Sequence, residues 1–319
     1  MQTRNVLLIG GGGLIGSAIA RKLTAREARI TVATRRRERA KHLILLPTVD
    51  VVQADAADPA QLKALLRGQD AVINLAGILH SRGGSPYGPD FKAVHVNLPR
   101  AIAQACAETG VPRLLHFSAL GARADAPSMY LRSKADGEAA VLEVKDKLAV
   151  TIFRPSVVFG RDDRFLNLFA QLQANAPFFP LGRGQAKLQP VWVEDVAQAA
   201  VHSLDKRETF GKTYELAGPR AYTLKQLVEY AGQLSGHPRM VIGLPDALAY
   251  LQAWLMEWLP NPPLSRDNLD SLAVDNLMSG AIAPELGITP VAMEAEVPEY
   301  LGGKSPRERL MRLRDHAGR

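Results

Sequence analysis

The sequence predicts an α/β fold, a doubly wound parallel sheet with a smaller, mostly helical C-terminal domain. Two observations predict it. Through the first 160 residues, short apolar runs alternate with stretches of helical spacing, the pattern of βαβ units whose strands are buried on both faces. The first apolar run then ends in "IGGGGLIGSAIA" (residues 9–20), four glycines set between a strand and a helix. At 319 residues the chain is long enough for a substantial core.

The elements follow in order. Residues 6–9 read as a strand, 14–23 as a helix, and 30–33 and 49–52 as strands. A helix at 59–66 precedes a strand at 71–75. A longer helix at 91–109, a strand at 114–117, a helix at 130–144 and a strand at 150–153 complete the alternation. After Gly160 the rhythm loosens: "RDDRFLNLFAQLQANAPFFPLGRG" reads as a helix and a Pro/Gly turn. "PVWVEDVAQAAVHSL" returns as a short strand and helix, and "TYELAG" as a strand. The expected division is a dinucleotide-binding domain at 1–160, rejoined by 187–220, and a smaller domain at 161–186 and 221–319 for substrate or partner. This is the Rossmann-type arrangement.

Charge supports an anion site. The net charge is +7, and residues 1–45 alone contribute ten Lys/Arg against two Asp/Glu. The basic excess thus surrounds the glycine loop. A nucleic-acid face would interleave aromatic residues with that charge, and none do, so no nucleic acid is expected. The single cysteine, Cys106, excludes an internal disulfide and reads as a small buried hydrophobe on a helix. The N-terminal apolar run is too short for a signal peptide, and no window reaches the roughly 18 apolar residues of a membrane span. The expected location is cytoplasmic, with the inner face of a membrane as the alternative. No metal site is expected.

Gly10, Gly13 and Gly16 stand three apart on the first βα turn. A tight turn, close approach to a pyrophosphate and helix-on-strand packing each need one. The free N–H groups at Leu14 and Ile15, with the positive end of the helix dipole, would then face the phosphates. At the end of the second strand the chain reads Thr34-Arg35-Arg36-Arg37, with no acid before Glu38. A carboxylate there would take the ribose 2′-hydroxyl of NAD, whereas Arg35 and Arg36 suit a 2′-phosphate. NADP(H) is therefore favoured over NAD(H), with a solvated basic turn as the plainer alternative. Asp55 is placed to reach the adenine, and Asn74, Ala76 and Gly77 to pass beneath the cofactor.

"HFSALGARADAPSMYLRSKADGE" carries the chemistry. Tyr130 and Lys134, at i and i+4, share a helix face, and Ser118 closes the preceding strand at the sheet's carboxyl edge. The Lys134 ammonium would favour the Tyr130 phenolate, Ser118 would hold the substrate oxygen, and Tyr130 would exchange its proton. Asn97 would organise a water linking Lys134 to solvent.

Together, Gly10, Gly13, Gly16, Asp55, "NLAG", Asn97, Ser118 and Tyr130-x-x-x-Lys134, with "FRPSVVFG" and "VWVEDVAQA", resemble the extended branch of the short-chain dehydrogenases/reductases, the epimerase/dehydratase-like proteins. Ile9 departs from the threonine common at that position. The resemblance implies a nucleotide held partly by Tyr130, Lys134 and Pro155, and hydride exchange with an alcohol/carbonyl pair, or a transient oxidation that epimerises. Relatives acting on nucleotide sugars carry an Asn and an Arg where this chain has Ser156 and Leu188, which argues against such a substrate.

"YLRSKADGEAAV", "IFRPSVVFGRDDRFLNLFA", "PPLSRDNLDSLAVDN" and "LGITPVAMEAEVPEYL" extend the resemblance to the NAD(P)H-binding accessory subunits of respiratory complex I and their bacterial relatives. That resemblance implies structural holding of the nucleotide, as an assembly or accessory protein, with a respiratory-complex contact. "PDALAYLQAWLMEWLPNPP" is apolar on a broad face. It suits packing over a pocket for an apolar carbonyl or alcohol substrate, or docking to a membrane or hydrophobic partner. The tail from Lys304 to Arg319 reads as a solvated helix or a basic contact with anionic lipid. "GGSPYGP" (83–89) would cover the nicotinamide or merely connect. The helices near 91–109 and 130–144 are free to pair between subunits or to face solvent.

Overall fold

In the computed structural model, which describes residues 3–260, 262–302 and 314, seven parallel strands form one sheet. They are β1 (Asn5–Ile9), β2 (Arg29–Thr34), β3 (Val49–Gln53), β4 (Ala71–Asn74), β5 (Arg113–Phe117), β6 (Ala149–Pro155) and, beyond β6, Thr213–Leu216. The chain winds outward from β1 through β2 to β3, then crosses back to β4, β5 and β6. The order therefore reverses between β1 and β4, and the loops leaving those strands open a crevice at the carboxyl edge.

Alternate residues of β1 serve opposite faces, as the period of a strand requires. Val6 and Leu8 join the core under helix α1 (Leu14–Ala25) and the Val193–Ser203 helix. Leu7 and Ile9 join the core under α2 (Pro59–Leu66) and the helices Leu98–Thr109 and Met129–Leu142. Both faces are covered, so β1, β4 and β5 are largely apolar and buried, with Asn74, Arg113 and His116 as buried polar exceptions. Each fully buried Val or Leu contributes about 1.5–3 kcal/mol. Cys106 lies wholly inside the second core, where burial pushes its thiol up to about 12.

The C-terminal half differs in detail from its sequence reading. The Pro/Gly turn after the Leu166–Asn175 helix is a strand, Phe178–Gly182, paired in parallel with Met240–Leu244. A second pair joins Lys187–Leu188 to Tyr222–Thr223. Pro177 and Pro180 mask the Phe178–Gly182 strand, the Lys187–Leu188 and Tyr222–Thr223 strands are two residues each, and helices do predominate around them. Phe159, Leu166, Phe179, Leu181, Leu227 and Val297 form a third apolar cluster. The charged tail from Lys304 lies outside the described residues, apart from Arg314. Among the described residues no helix is long and apolar enough to cross a membrane.

Candidate active site

Each glycine of the first loop is confined for its own reason. Gly10 has φ +78° and stands where an added Cβ would meet the Ala76 nitrogen at 2.8 Å, so the loops after β1 and β4 abut. A Cβ on Gly16 would lie 2.3 Å from the Gly11 carbonyl oxygen, so α1 can approach the loop only with glycine there. At Gly13 the nearest atom to such a Cβ is 3.8 Å away, which leaves open space above the helix N-terminus. Gly13 caps α1 without a side chain, and the first turn carries no acid. Ser17 N–H closes the first turn on the Gly13 carbonyl at 2.9 Å. The N–H groups of Leu14, Ile15 and Gly16 therefore have no intrahelical acceptor. Three free donors, a dipole end and an uncrowded glycine fit a diphosphate.

At the far end, Arg35, Gln53, Ala54, Asp55 and Gln61 line an open cleft of about 370 Å³. Arg35 and Arg36 are exposed and make no ion pair among the described residues. The Asp55 carboxylate accepts from Ala57 N–H at 3.0 Å through one oxygen. Asn74 does not face the crevice with its side chain. It is buried, accepts from Ala76 N–H at 3.1 Å and contacts His116 Nδ1 at 3.1 Å, so it shapes the β4 loop from within. Ala76 is half-buried and Gly77 exposed beyond it. Pro155, at the end of β6, accepts from Leu120 N–H at 2.9 Å.

Lys134 reaches the end of β5 beside Ser118, and Tyr130 packs against the cluster of Ala119, Ala126 and Leu131. Ser128 caps their helix by accepting from Leu131 N–H at 3.2 Å. One turn in, Lys134 is buried and donates to the Phe117 carbonyl at 2.7 Å, one residue from Ser118. Among the described residues the buried Ser118 hydroxyl has no hydrogen-bond partner, which leaves it free to bond a water or a ligand. Burial pulls Lys134 down to about 8, partly offset by Glu138, which is paired to Arg154 at 2.6 Å. Burial pushes the Tyr130 phenol up to about 12, and the Asp267 carboxylate adds to the rise. In the nucleotide-free protein these effects favour the protonated phenol.

Asn97 is not part of this cluster. Its side chain is exposed and makes no hydrogen bond among the described residues. Residues Lys92–Asn97 form a π-helical turn, and the buried face through it runs Phe91, His95, Val96 and Pro99. His95 takes the inner place. Its Nδ1 pairs with Ser133 Oγ at 2.8 Å, its Nε2 accepts from Ile78 N–H at 3.1 Å, and its ring meets Tyr130 edge-on at 5.5 Å. Burial, then the Lys134 charge, pulls His95 down to about 3, and the same two causes hold His116 well below its ordinary value. Lys134 therefore stands beside two neutral imidazoles.

Two further residues reach the site from the C-terminal half, and sequence reading did not assign them. The Asp267 carboxylate accepts from the N–H groups of Met129 and Tyr130 at 2.6 and 3.0 Å. Asn276 bonds Ser156 Oγ at 2.5 Å and donates to the Leu120 carbonyl at 3.0 Å. Both lie in "PPLSRDNLDSLAVDN", whose legible signal was the Ser265/Asn268 capping box. The 81–90 loop is tied down by Arg82–Asp90 at 3.0 Å and by Tyr87 to Asp136 at 2.6 Å.

A loop of this shape on a sheet of this order matches a family model. Residues 6–217 match the NAD dependent epimerase/dehydratase family, and the chain belongs to it. It is 34% identical over 255 residues to NADH dehydrogenase [ubiquinone] 1 alpha subcomplex subunit 9 of Mus musculus, covering 77% of this chain and 65% of the mouse protein. The chain thus spans under two thirds of that relative. It is 32% identical over 214 residues to a ceramide reductase of Caulobacter vibrioides, covering 65% of this chain and 64% of that one. Among solved structures, a dTDP-glucose 4,6-dehydratase from Streptomyces venezuelae, with NAD and TYD bound, aligns with a TM-score of 0.75. Identity is 20%, over 94% of this chain and 96% of that one, a likeness of fold.

Proposed function

We propose that this chain is an NADP(H)-binding oxidoreductase of the extended short-chain dehydrogenase/reductase type, acting on the carbonyl/alcohol pair of an apolar small molecule. The observation that carries the reading is the buried, unpartnered Ser118 hydroxyl beside the Lys134–Phe117 contact. Residues 1–160 and 187–220 hold the nucleotide, whose diphosphate rests on Gly13, Leu14, Ile15 and Gly16. Arg35 and Arg36 take the 2′-phosphate, and Asp55 faces the adenosine end. The nucleotide, when bound, supplies the hydride that reduces the carbonyl carbon. Ser118 donates to the substrate oxygen and fixes it. Tyr130 gives that oxygen its proton, and Lys134, held by Phe117, restores the proton to Tyr130. Protonated Tyr130 suits reduction at neutral pH.

The positions of Ser156 and Leu188 offer no amide or cation to grip a nucleotide diphosphate. Ser156 is engaged by Asn276, and Leu188 is buried. The Caulobacter relative's name, ceramide reductase, supports an apolar substrate. A second reading rests on the mouse relative: a nucleotide-holding accessory or assembly protein of a quinone-linked respiratory complex. Mass spectrometry of nucleotide released from protein purified without added cofactor separates the two. Exchangeable NADPH that is consumed by a carbonyl supports the reductase. NADPH that stays bound and unoxidised with every carbonyl offered supports the accessory role.

A further inference from the structure

After the helix Arg266–Ser271 the chain crosses the carboxyl ends of β5 and β6 as an extended strap centred on Asn276. The Asn276 N–H donates to the Lys187 carbonyl at 2.8 Å, and the Asn276 carbonyl accepts from Gln189 N–H at 3.1 Å, a parallel bridge beside Leu188. The Asn276 amide oxygen accepts from Ser156 Oγ at 2.5 Å, and its Nδ2 donates to the Leu120 carbonyl at 3.0 Å. Farther on, Met278 N–H donates to Gln189 Oε1 at 3.0 Å and Ser279 N–H to the Glu215 carboxylate at 2.8 Å. The loop beneath is equally fixed. Ser118 N–H bonds the Phe153 carbonyl at 2.7 Å, and Leu120 N–H bonds the Pro155 carbonyl at 2.9 Å. The strap is therefore pinned next to Ser118.

Side chains along the strap alternate, as in any extended segment. The Asp275 carboxylate turns to Lys187 N–H at 3.0 Å, whereas Asn276 and Val274 turn to the loop after β5. Val274 is half-buried and packs on the small cluster of Ala119, Ala126 and Leu131, the same cluster on which Tyr130 packs. Ala119 directly follows Ser118, and Leu131 directly follows Tyr130. The Asp267 carboxylate is engaged by the N–H groups of Met129 and Tyr130, so it offers no free charge to a ligand at that cluster. A β-branched side chain has few rotamers, and the backbone carrying this one is held two residues further on at Asn276. Val274 thus gives the surroundings of Ser118 and Tyr130 a stiff apolar surface on the strap side.

Resting on the reductase reading of Ser118, Tyr130 and Lys134, we propose that Val274 is a specificity-determining residue of that site. Its isopropyl group meets the substituent on the carbon next to the substrate carbonyl. It admits an unbranched alkyl chain and rejects a branched or charged one. A methyl branch at that carbon runs into a side chain that cannot turn away, and a charged group there loses its water without gaining a partner. The substrate class is therefore a ketone, or the matching secondary alcohol, with an unbranched alkyl chain beside the reacting carbon. One methylene more or less in an apolar pocket changes selectivity by about 10–200-fold, which sets the scale of the effect.

The test compares 2-dodecanone with 3-methyl-2-dodecanone on the full chain, on Val274→Ala and on Val274→Leu. Two readouts are taken: kcat/KM with NADPH, and Kd by calorimetry in the NADP+ complex, which cannot reduce a ketone. Unchanged thermal melting and NADPH affinity establish that both variants are folded. The parent is expected to prefer the unbranched ketone. Val274→Ala should shrink that preference by about tenfold or more by admitting the branched ketone, and Val274→Leu should enlarge it. The same ratio of the two ketones in all three proteins overturns the proposal, as does a parent that binds neither ketone or binds both equally. A Kd ratio that follows residue 274 in a parent that never oxidises NADPH upholds the Val274 wall and overturns the reductase reading alone.

Discussion

The carboxylate of Asp267 receives the backbone N–H of Tyr130 at 3.0 Å, and that of Met129 at 2.6 Å, so the C-terminal half caps the helix that carries the Tyr–Lys pair. Loss of a helix cap costs about 0.5–2 kcal/mol. Asp267→Ala is expected to lower stability to urea by about that amount and to reduce turnover with little change in NADPH affinity. Asp267→Asn keeps one acceptor and should recover part of both. Equal stability of Asp267→Ala and the parent would show that the cap is idle.

Gly13 and Gly16 separate binding from folding. Gly13→Ala meets nothing closer than 3.8 Å, so the protein should melt normally, while the methyl intrudes where the diphosphate rests and NADPH binding is lost. Gly16→Ala drives a Cβ to 2.3 Å from a carbonyl oxygen and should lower the melting temperature outright. Calorimetry with nucleotide titration checks both, and normal NADPH affinity in Gly13→Ala would move the phosphates elsewhere.

Arg35 and Arg36 are exposed beside the cleft lined by Asp55. A hydrogen bond to a charged group is worth about 1.5–3 kcal/mol. Replacing both arginines by alanine should therefore weaken NADPH by on the order of tenfold or more and leave NADH nearly unchanged. Equal losses, measured by fluorescence titration, would remove the argument for a 2′-phosphate.

His95 titrates at about 3 in the folded protein, burial holds His116 well below its ordinary value, and both titrate at about 6.5 when unfolded. Between these values the unfolded chain binds protons that the folded one refuses, so stability rises with pH up to about 6.5 and falls below it. Each histidine contributes a slope approaching about 1.4 kcal/mol per pH unit well below pH 6.5. Urea unfolding between pH 7 and 5 should show this loss, and His95→Gln should flatten it. A flat profile in the parent would mean that the imidazoles are already charged.

The sheet was legible because its strands are buried on both faces. Val6–Ile9, Leu114 and Leu115 are apolar and buried, and Gly10 and Gly16 between β1 and α1 admit nothing larger. Spacing and order single out Ser118, Tyr130 and Lys134 as candidates, and Lys134 lies beside the end of β5. What spacing does not announce is polar contact across the chain. Asn97 lies off the buried face on which Phe91, His95 and Pro99 stand four apart, so the inward side chain is His95. Asp267 and Asn276 act through hydrogen bonds spanning 137 and 120 residues, which no local pattern announces. The 178–182 strand hid behind its prolines.

The most direct measurement is NADPH oxidation by the purified protein with a panel of long-chain ketones, run beside Tyr130→Phe. The parent is expected to consume NADPH with at least one ketone. Tyr130→Phe is expected to bind NADPH normally and turn over more slowly by about two orders of magnitude or more, the contribution of a positioned acid. Unoxidised NADPH with every ketone, or a Tyr130→Phe variant as fast as the parent, would contradict a catalytic Ser118–Tyr130–Lys134 site.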